Sequence, residues 1–168
     1  MTKGGGPVPK PEPVSVDERL RQLATFLPRF EQPGFEFGTW VHPASPEPGV
    51  IVMGYYARSR TADAFVQMAY DFGWVLSDFD WSAWAQTQEA TQLRDNPKAL
   101  AASSPDQLAR LLTVIIRQDR FCEGAIASAY EAGLLTGIVR RAAQLASDRA
   151  TSLDGTGRSK DAHASDEQ

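Results

Sequence analysis

Two short segments concentrate the side chains whose types and spacing could do chemistry. The first is Asp78-Phe79-Asp80-Trp81-Ser82-Ala83-Trp84, just after Gly73-Trp74. Asp78 and Asp80 stand at a loop-to-helix junction, where such a pair could bind a hard cation or act as acid and base. Trp81 and Trp84 beside them could stack a nucleobase or a sugar. The plainer alternative has one Asp capping the helix while Trp74, Phe79, Trp81 and Trp84 build the core, the commoner fate of aromatics at helical spacing.

The second is Arg117-Gln118-Asp119-Arg120-Phe121-Cys122-Glu123-Gly124, which closes a long apolar helix. Arg117 and Arg120 share a helix face, as do Asp119 and Glu123. An arginine pair of this kind can grip a phosphate or carboxylate bidentately. The competing reading is an ion-pair network that ties this helix to its neighbours. A third group, Arg140, Arg141 and Arg149 with Arg158 and Lys160, reads as a solvated helix face. It lacks the interleaved aromatics that nucleic-acid contact wants. Cys122 reads as a small buried hydrophobe.

Several chemistries lack their residues. The two histidines, His42 and His163, lie in a Pro-rich loop and near the C-terminus, and with one cysteine they cannot assemble a zinc site. A Ser-His-Asp or Cys-His arrangement would have to use His42, with nothing else to support it. Gly4-Gly5-Gly6 lacks the strand before it and the Lys and Ser/Thr after it that a phosphate loop needs. No metal and no cofactor is expected, catalytic residues are not identifiable, and the balance leans away from an enzyme.

Composition bounds the class. With 168 residues, 42% hydrophobic and 23% charged, the chain reads as one globular domain with tails. A net charge of −4 gives no pull toward nucleic acid or an anionic membrane. No apolar run approaches the roughly 18 residues a bilayer span needs, and the N-terminus lacks the apolar core of a secretory signal. The single cysteine fits a reducing cytoplasm. Residues 1–14, Gly- and Pro-rich, and 150–168, poor in large apolar residues, are expected to be disordered around a domain at 15–149.

The elements that must position these residues are mostly helical. Ser15 and Glu18 form a capping box ahead of Leu20, Leu23, Ala24 and Leu27, with Pro28 ending the helix near Leu27. Phe35 to Thr39 and Val50 to Tyr56 are expected to pair as an antiparallel hairpin around a Pro-rich loop. Thr61 caps a helix that stops at Gly73, and Asp78 or Asp80 caps one carrying Trp81, Trp84, Ala85 and Gln88. Ser104-Pro105-Asp106-Gln107 is the strongest start signal, ahead of Leu108, Leu111, Leu112, Ile115 and Ile116. A last amphipathic helix carries Leu135, Ile138, Val139, Ala142 and Leu145. The expected fold is α+β and predominantly helical: five or six helices around one core, with a small β-hairpin.

Taken in order, Phe26-Leu27-Pro28-Arg29-Phe30-Glu31, Gly73-Trp74 with Phe79-Asp80-Trp81 and Trp84, and Ile116 to Gly124 with Gly133 resemble a bacterial and phage family. It is known as domain of unknown function 6508. The resemblance covers roughly residues 20–145, and its specific part is Arg117-x-Asp119-Arg120-Phe121-Cys122-Glu123-Gly124. It brings no catalytic residues. It implies an association with macro domains, which bind ADP-ribose, and so with nucleotide or phage–host conflict biology. The expected function is a non-catalytic binding or regulatory module acting on a protein partner. The alternative is a nucleotide-like small molecule held where the two segments meet: Arg117 and Arg120 on an anionic group, Trp81 or Trp84 stacked on a ring, and Asp80 or Glu123 as acid or base.

Overall fold

Ser104 begins the most deeply buried helix as its chemistry dictates. Its Oγ accepts from the Gln107 N–H at 3.3 Å while Gln107 Oε1 accepts from the Ser104 N–H at 2.9 Å. Pro105 takes the first helical position, whose N–H has no partner in any helix. Helix α7 (Pro105–Gln118) then buries Leu108, Leu111, Leu112, Ile115 and Ile116. Each such side chain stabilises the fold by about 1.5–3 kcal/mol. The computed structural model describes residues 13–156, with side chains through 152. The expectations for residues 1–12 and 157–168 lie outside the described residues.

In chain order come α1 (Val16–Ala24), α2 (Leu27–Phe30), β1 (Gly38–Val41), β2 (Tyr55–Arg58), α3 (Arg60–Asp71), α4 (Trp81–Trp84), α5 (Gln88–Asp95) and α6 (Pro97–Ala101). Helices α7, α8 (Ala125–Glu131) and α9 (Leu134–Thr156) follow. Six of these helices have seven or more residues, as the α+β, mostly helical reading expected; α2, α4 and α6 are short turns of four or five.

Helix α9 spans 23 residues and is the spine. It buries Leu135, Ile138, Val139 and Ala142, and α1 lies along it with Leu20 and Leu23 facing in. Arg149 meets Asp17 at 2.9 Å and Arg140 meets Glu31 at 2.6 Å, so the basic face pins α9 to the N-terminal segments. Arg141 donates to the Ser103 carbonyl at 2.9 Å. The helix continues to Thr156, past the boundary expected at 149.

Several boundaries differ from the sequence reading for local reasons. Ser15 does cap α1, accepting from the Glu18 N–H at 3.2 Å, but the Glu18 carboxylate turns to Gln22 and Arg21 instead of closing the box. Helix α1 stops at Ala24, and Pro28 sits in the first turn of α2, where a missing N–H is harmless. Ser59, not Thr61, caps α3. The single helix expected from Trp81 to Gln88 is two, because Thr87 caps a new one at α5.

The hairpin exists but is displaced toward the C-terminus. Gly38 pairs with Arg58, Thr39 with Ala57, Trp40 with Tyr56 and Val41 with Tyr55. Phe35 and Phe37, expected in the strand, instead join an aromatic cluster around Phe30, with Tyr130 at 5.4 Å from each. Val50 to Met53 is exposed and unpaired with β1. Gly38 leaves room for the Tyr56 ring: a Cβ there would sit 2.6 Å from Tyr56 Cε1 and collide with the Ala57 carbonyl oxygen. Gly38→Ala is therefore expected to cost about 1–3 kcal/mol by overpacking. A lower urea midpoint, with faster amide exchange at Thr39 and Ala57, checks it.

Candidate functional site

The two sequence segments meet. Arg117, in the last turn of α7, donates to the carbonyls of Leu76 at 2.7 Å and Ser77 at 3.3 Å. Trp81 stacks on Phe121 with ring centroids 6.2 Å apart, and Phe121 is 78% exposed. The junction is open to solvent, but most of its charged groups already have work.

Asp119 accepts from the Ile126 N–H at 3.2 Å through one oxygen and meets Arg58 at 3.2 Å through the other. It thereby serves the start of α8, whose own cap residue is Gly124 at φ 86° with no side chain to offer. Glu123 accepts from the Tyr56 N–H at 2.8 Å and fastens the outer edge of β2 to the body. Arg58 also holds Asp63 at 2.9 Å. Among the described residues Arg120 reaches only the Tyr70 hydroxyl, at 3.4 Å. The expected arginine clamp is not assembled: Arg117 is committed to backbone carbonyls, and of the two only Arg120 lines the cavity beside the hairpin, where Arg58 is its neighbour.

The carboxylate pair separates in the same way. Asp80 caps α4, accepting from the Ala83 N–H at 3.0 Å and the Ser82 hydroxyl at 2.9 Å. The Ala83 bond first, then that from Ser82, holds its carboxyl below the ordinary range, which suits a cap and not a proton donor at neutral pH. Asp78 is exposed and, among the described residues, accepts only from Ser77, at 3.4 Å. No group of three or more His, Cys, Asp and Glu is placed to hold a metal among the described residues.

Trp84 is 8% exposed, and its indole N–H donates to Glu89 at 2.8 Å, so it is core with a polar anchor. The sequence reading passed over Glu89, which also accepts from Gln107 at 2.8 Å and meets Arg110 at 3.4 Å. The Gln107 bond first and the Trp84 bond second lower its pKa. A carboxyl depressed on folding stabilises above its ordinary value of 4.5 and loses that contribution as pH falls through the folded value. Glu89→Gln is thus expected to flatten the acid limb of the stability curve, modestly because the side chain is exposed. Urea midpoints taken from about pH 6 down to about pH 3 read the effect.

Thr113 was also passed over. It is fully buried on α7, accepts from the Leu76 N–H at 2.9 Å and donates to the Ala109 carbonyl at 2.7 Å. Its one sequence signal was a lone polar residue inside an apolar helix stripe. With Arg117 it ties down the segment 74–77 from which Trp81 is presented.

Between these anchors lies a groove of about 840 Å³. Leu111, Val114 and Ile115 of α7 form its floor, α4 and α5 one wall, and the segment from Cys122 to Ala132 the other. Trp81 stands on the first wall, and Glu123 and Gly124 are shared with a second cavity of about 650 Å³ beside the hairpin. Arg94, Ala132 and Leu134 continue the groove into a third, of about 300 Å³, against α9. Inside the groove Arg94 is paired with Asp95 at 2.8 Å. The side chains of Gln86, Gln118 and Ser128 make no hydrogen bond with the described residues, and all three are uncharged. Cys122 is exposed in the same wall, contrary to the buried placement expected for it.

No helix among the described residues is long and apolar enough to cross a membrane. No curated protein and no solved structure matches the chain. A family model does, over residues 15–148, the span of the helical body from the α1 cap to the C-terminal half of α9. The chain belongs to the family of unknown function DUF6508.

Proposed function

We propose that the chain is a non-catalytic binding or regulatory module that takes a peptide segment of a protein partner in the groove between α4–α5 and α8. The carrying observation is the lining: an apolar floor with Gln86, Gln118 and Ser128 side chains above it that bond none of the described residues, and, among the described residues lining it, no unpaired cation. Uncharged donors and acceptors of this kind match a peptide backbone, whose amides need partners when they leave water. Continuity with the flanking cavities supplies a length that suits an extended or helical segment. Family membership suggests a bacterial or phage cell, and the exposed thiol of Cys122 suits a reducing cytoplasm.

The second reading, a nucleotide or ADP-ribose-like ligand, draws on the open Trp81–Phe121 stack at the groove mouth. Against it stands the charge: Arg94 in the groove is paired with Asp95, and Arg120 in the adjoining cavity shares that cavity with Asp63, Asp119 and Glu123. Thermal unfolding with nucleotides and ADP-ribose separates the two. A ligand at a hundredfold its Kd adds about 2.7 kcal/mol, a midpoint rise of roughly 5–10 °C for a domain of this size. A flat panel is expected. A rise abolished by Trp81→Ala in a folded variant would instead install the nucleotide reading.

A further inference from the structure

The groove does not end at Arg94 and Asp95. Through Arg94, Ala132 and Leu134 it runs on into the cavity of about 300 Å³ against α9. There the lining changes character: Arg94, Arg140 and Arg141 border the cavity, and no Asp or Glu does.

Each of the three guanidinium groups has partners and keeps donors in hand. Arg94 gives Nε and one terminal nitrogen to Asp95, and Arg140 gives the same two nitrogens to a single oxygen of Glu31. Arg141 bonds the Ser103 carbonyl at 2.9 Å and the Gln144 side chain at 3.3 Å, both uncharged. A guanidinium carries five N–H donors, so each retains terminal N–H groups that no described residue accepts. With Asp95 and Glu31 set against Arg94 and Arg140, the charge of Arg141 is left over.

The start of α9 lies on the same cavity, which Gly133 and Leu134 line. The Gly137 N–H makes the first bond of that helix, to the Gly133 carbonyl, and no described residue accepts from the N–H groups of Leu134, Leu135 and Thr136. Asp119 closes the first turn of α8, whereas Gly133, at φ 79°, offers α9 no side chain. The positive end of a 23-residue helix thus adds to a charge that the arginines already supply.

We infer that the segment taken in the groove carries an Asp or Glu beyond its apolar anchors, and that this carboxylate seats in the cavity against Arg141. The inference rests on the peptide-binding reading and gives the partner its chemistry, an acidic segment. A carboxylate accepts from a guanidinium through both oxygens, and its single negative charge matches the single surplus positive one. A phosphoryl group, at about −2, overshoots that surplus. No aromatic ring lines the cavity for a base to stack on.

The test uses peptides selected on the full chain from a displayed random library, then synthesised with amidated C-termini so that side chains alone supply carboxylates. Fluorescence anisotropy should show binding weakened about fivefold or more when the acidic residue becomes its amide, and to a similar degree in Arg141→Gln. Within Arg141→Gln the amide replacement should change binding less than about twofold, because both changes remove one interaction. Arg94→Gln, at an exposed side chain paired with its chain neighbour, serves in its place if loss of the Ser103 bond unfolds Arg141→Gln. Groove-bound peptides that share no acidic residue, or that bind as tightly with its amide, overturn the inference and leave the peptide-binding reading standing. So does an amide effect undiminished in the arginine variant, or tighter binding when phosphoserine replaces the acid. Peptides that map outside the groove overturn both.

Discussion

Trp74→Ala is expected to destabilise the domain by about 3–5 kcal/mol, the range for deleting a large aromatic from a packed core. Trp74 has no exposed surface, and three segments converge on it. Its indole N–H donates to the Arg19 carbonyl at 3.2 Å, and the Arg19 guanidinium lies 4.5 Å above its ring. Its own N–H donates to the Ala69 carbonyl at 2.8 Å as α3 ends. The Arg19 guanidinium donates further to Gly73, at 2.8 Å. Loss of the ring leaves a cavity between α1, α3 and α7 and a half-buried cation with less to cover it. Thermal unfolding should show a midpoint lowered by roughly 10–20 °C. Trp74→Phe keeps most of the volume and gives up the indole bond, for about 1–2 kcal/mol. A change within about 0.5 kcal/mol in the alanine variant would mean that the segment holding Trp81 is anchored elsewhere.

Asp119→Ala is expected to cost about 2–3 kcal/mol, because it removes both a cap and one partner of an arginine. The side chain is 17% exposed and bonds the first turn of α8 and Arg58 of β2 at once. Its removal leaves the Ile126 N–H without a partner and Arg58 with Asp63 alone. Asp119→Asn retains an acceptor for Ile126 and gives up the charge pairing, so about half the loss is expected. Urea denaturation of both variants decides the matter. Were Asp119 kept for ligand contact alone, both would unfold like the parent, as surface changes away from caps and networks do.

What was legible in the sequence is what local chemistry decides. The Ser104 box, the α7 stripe and a cap at Asp78 or Asp80, which the structure resolves to Asp80, each need only three or four neighbouring residues to be recognised. The strands were misplaced because Phe35 and Phe37 alternate as a strand would, yet the aromatic cluster with Phe30 and Tyr130 outbids the sheet for them. Val50 to Met53 has strand composition and no strand partner among the described residues. At the candidate site, the dense charge between Arg117 and Glu123 lies where α7, α8 and the hairpin meet. Its partners, Tyr56, Arg58 and the Leu76 carbonyl, lie 41 to 67 residues away, and no periodicity connects them. The groove left still less trace. Gln86, Gln118 and Ser128 form no motif and become neighbours only when α4, α7 and α8 pack.

The central claim is that the groove takes a peptide segment, and a displayed peptide library panned against the full chain tests it most directly. Selected peptides should share a register of apolar anchors and perturb the amide resonances of Ser82, Thr91, Gln118 and Ser128. Their binding should fall at least tenfold in Ser128→Trp, which fills the groove from an exposed position without entering the core. Peptides that map to another surface, or that bind Ser128→Trp as tightly as the parent chain, would contradict it.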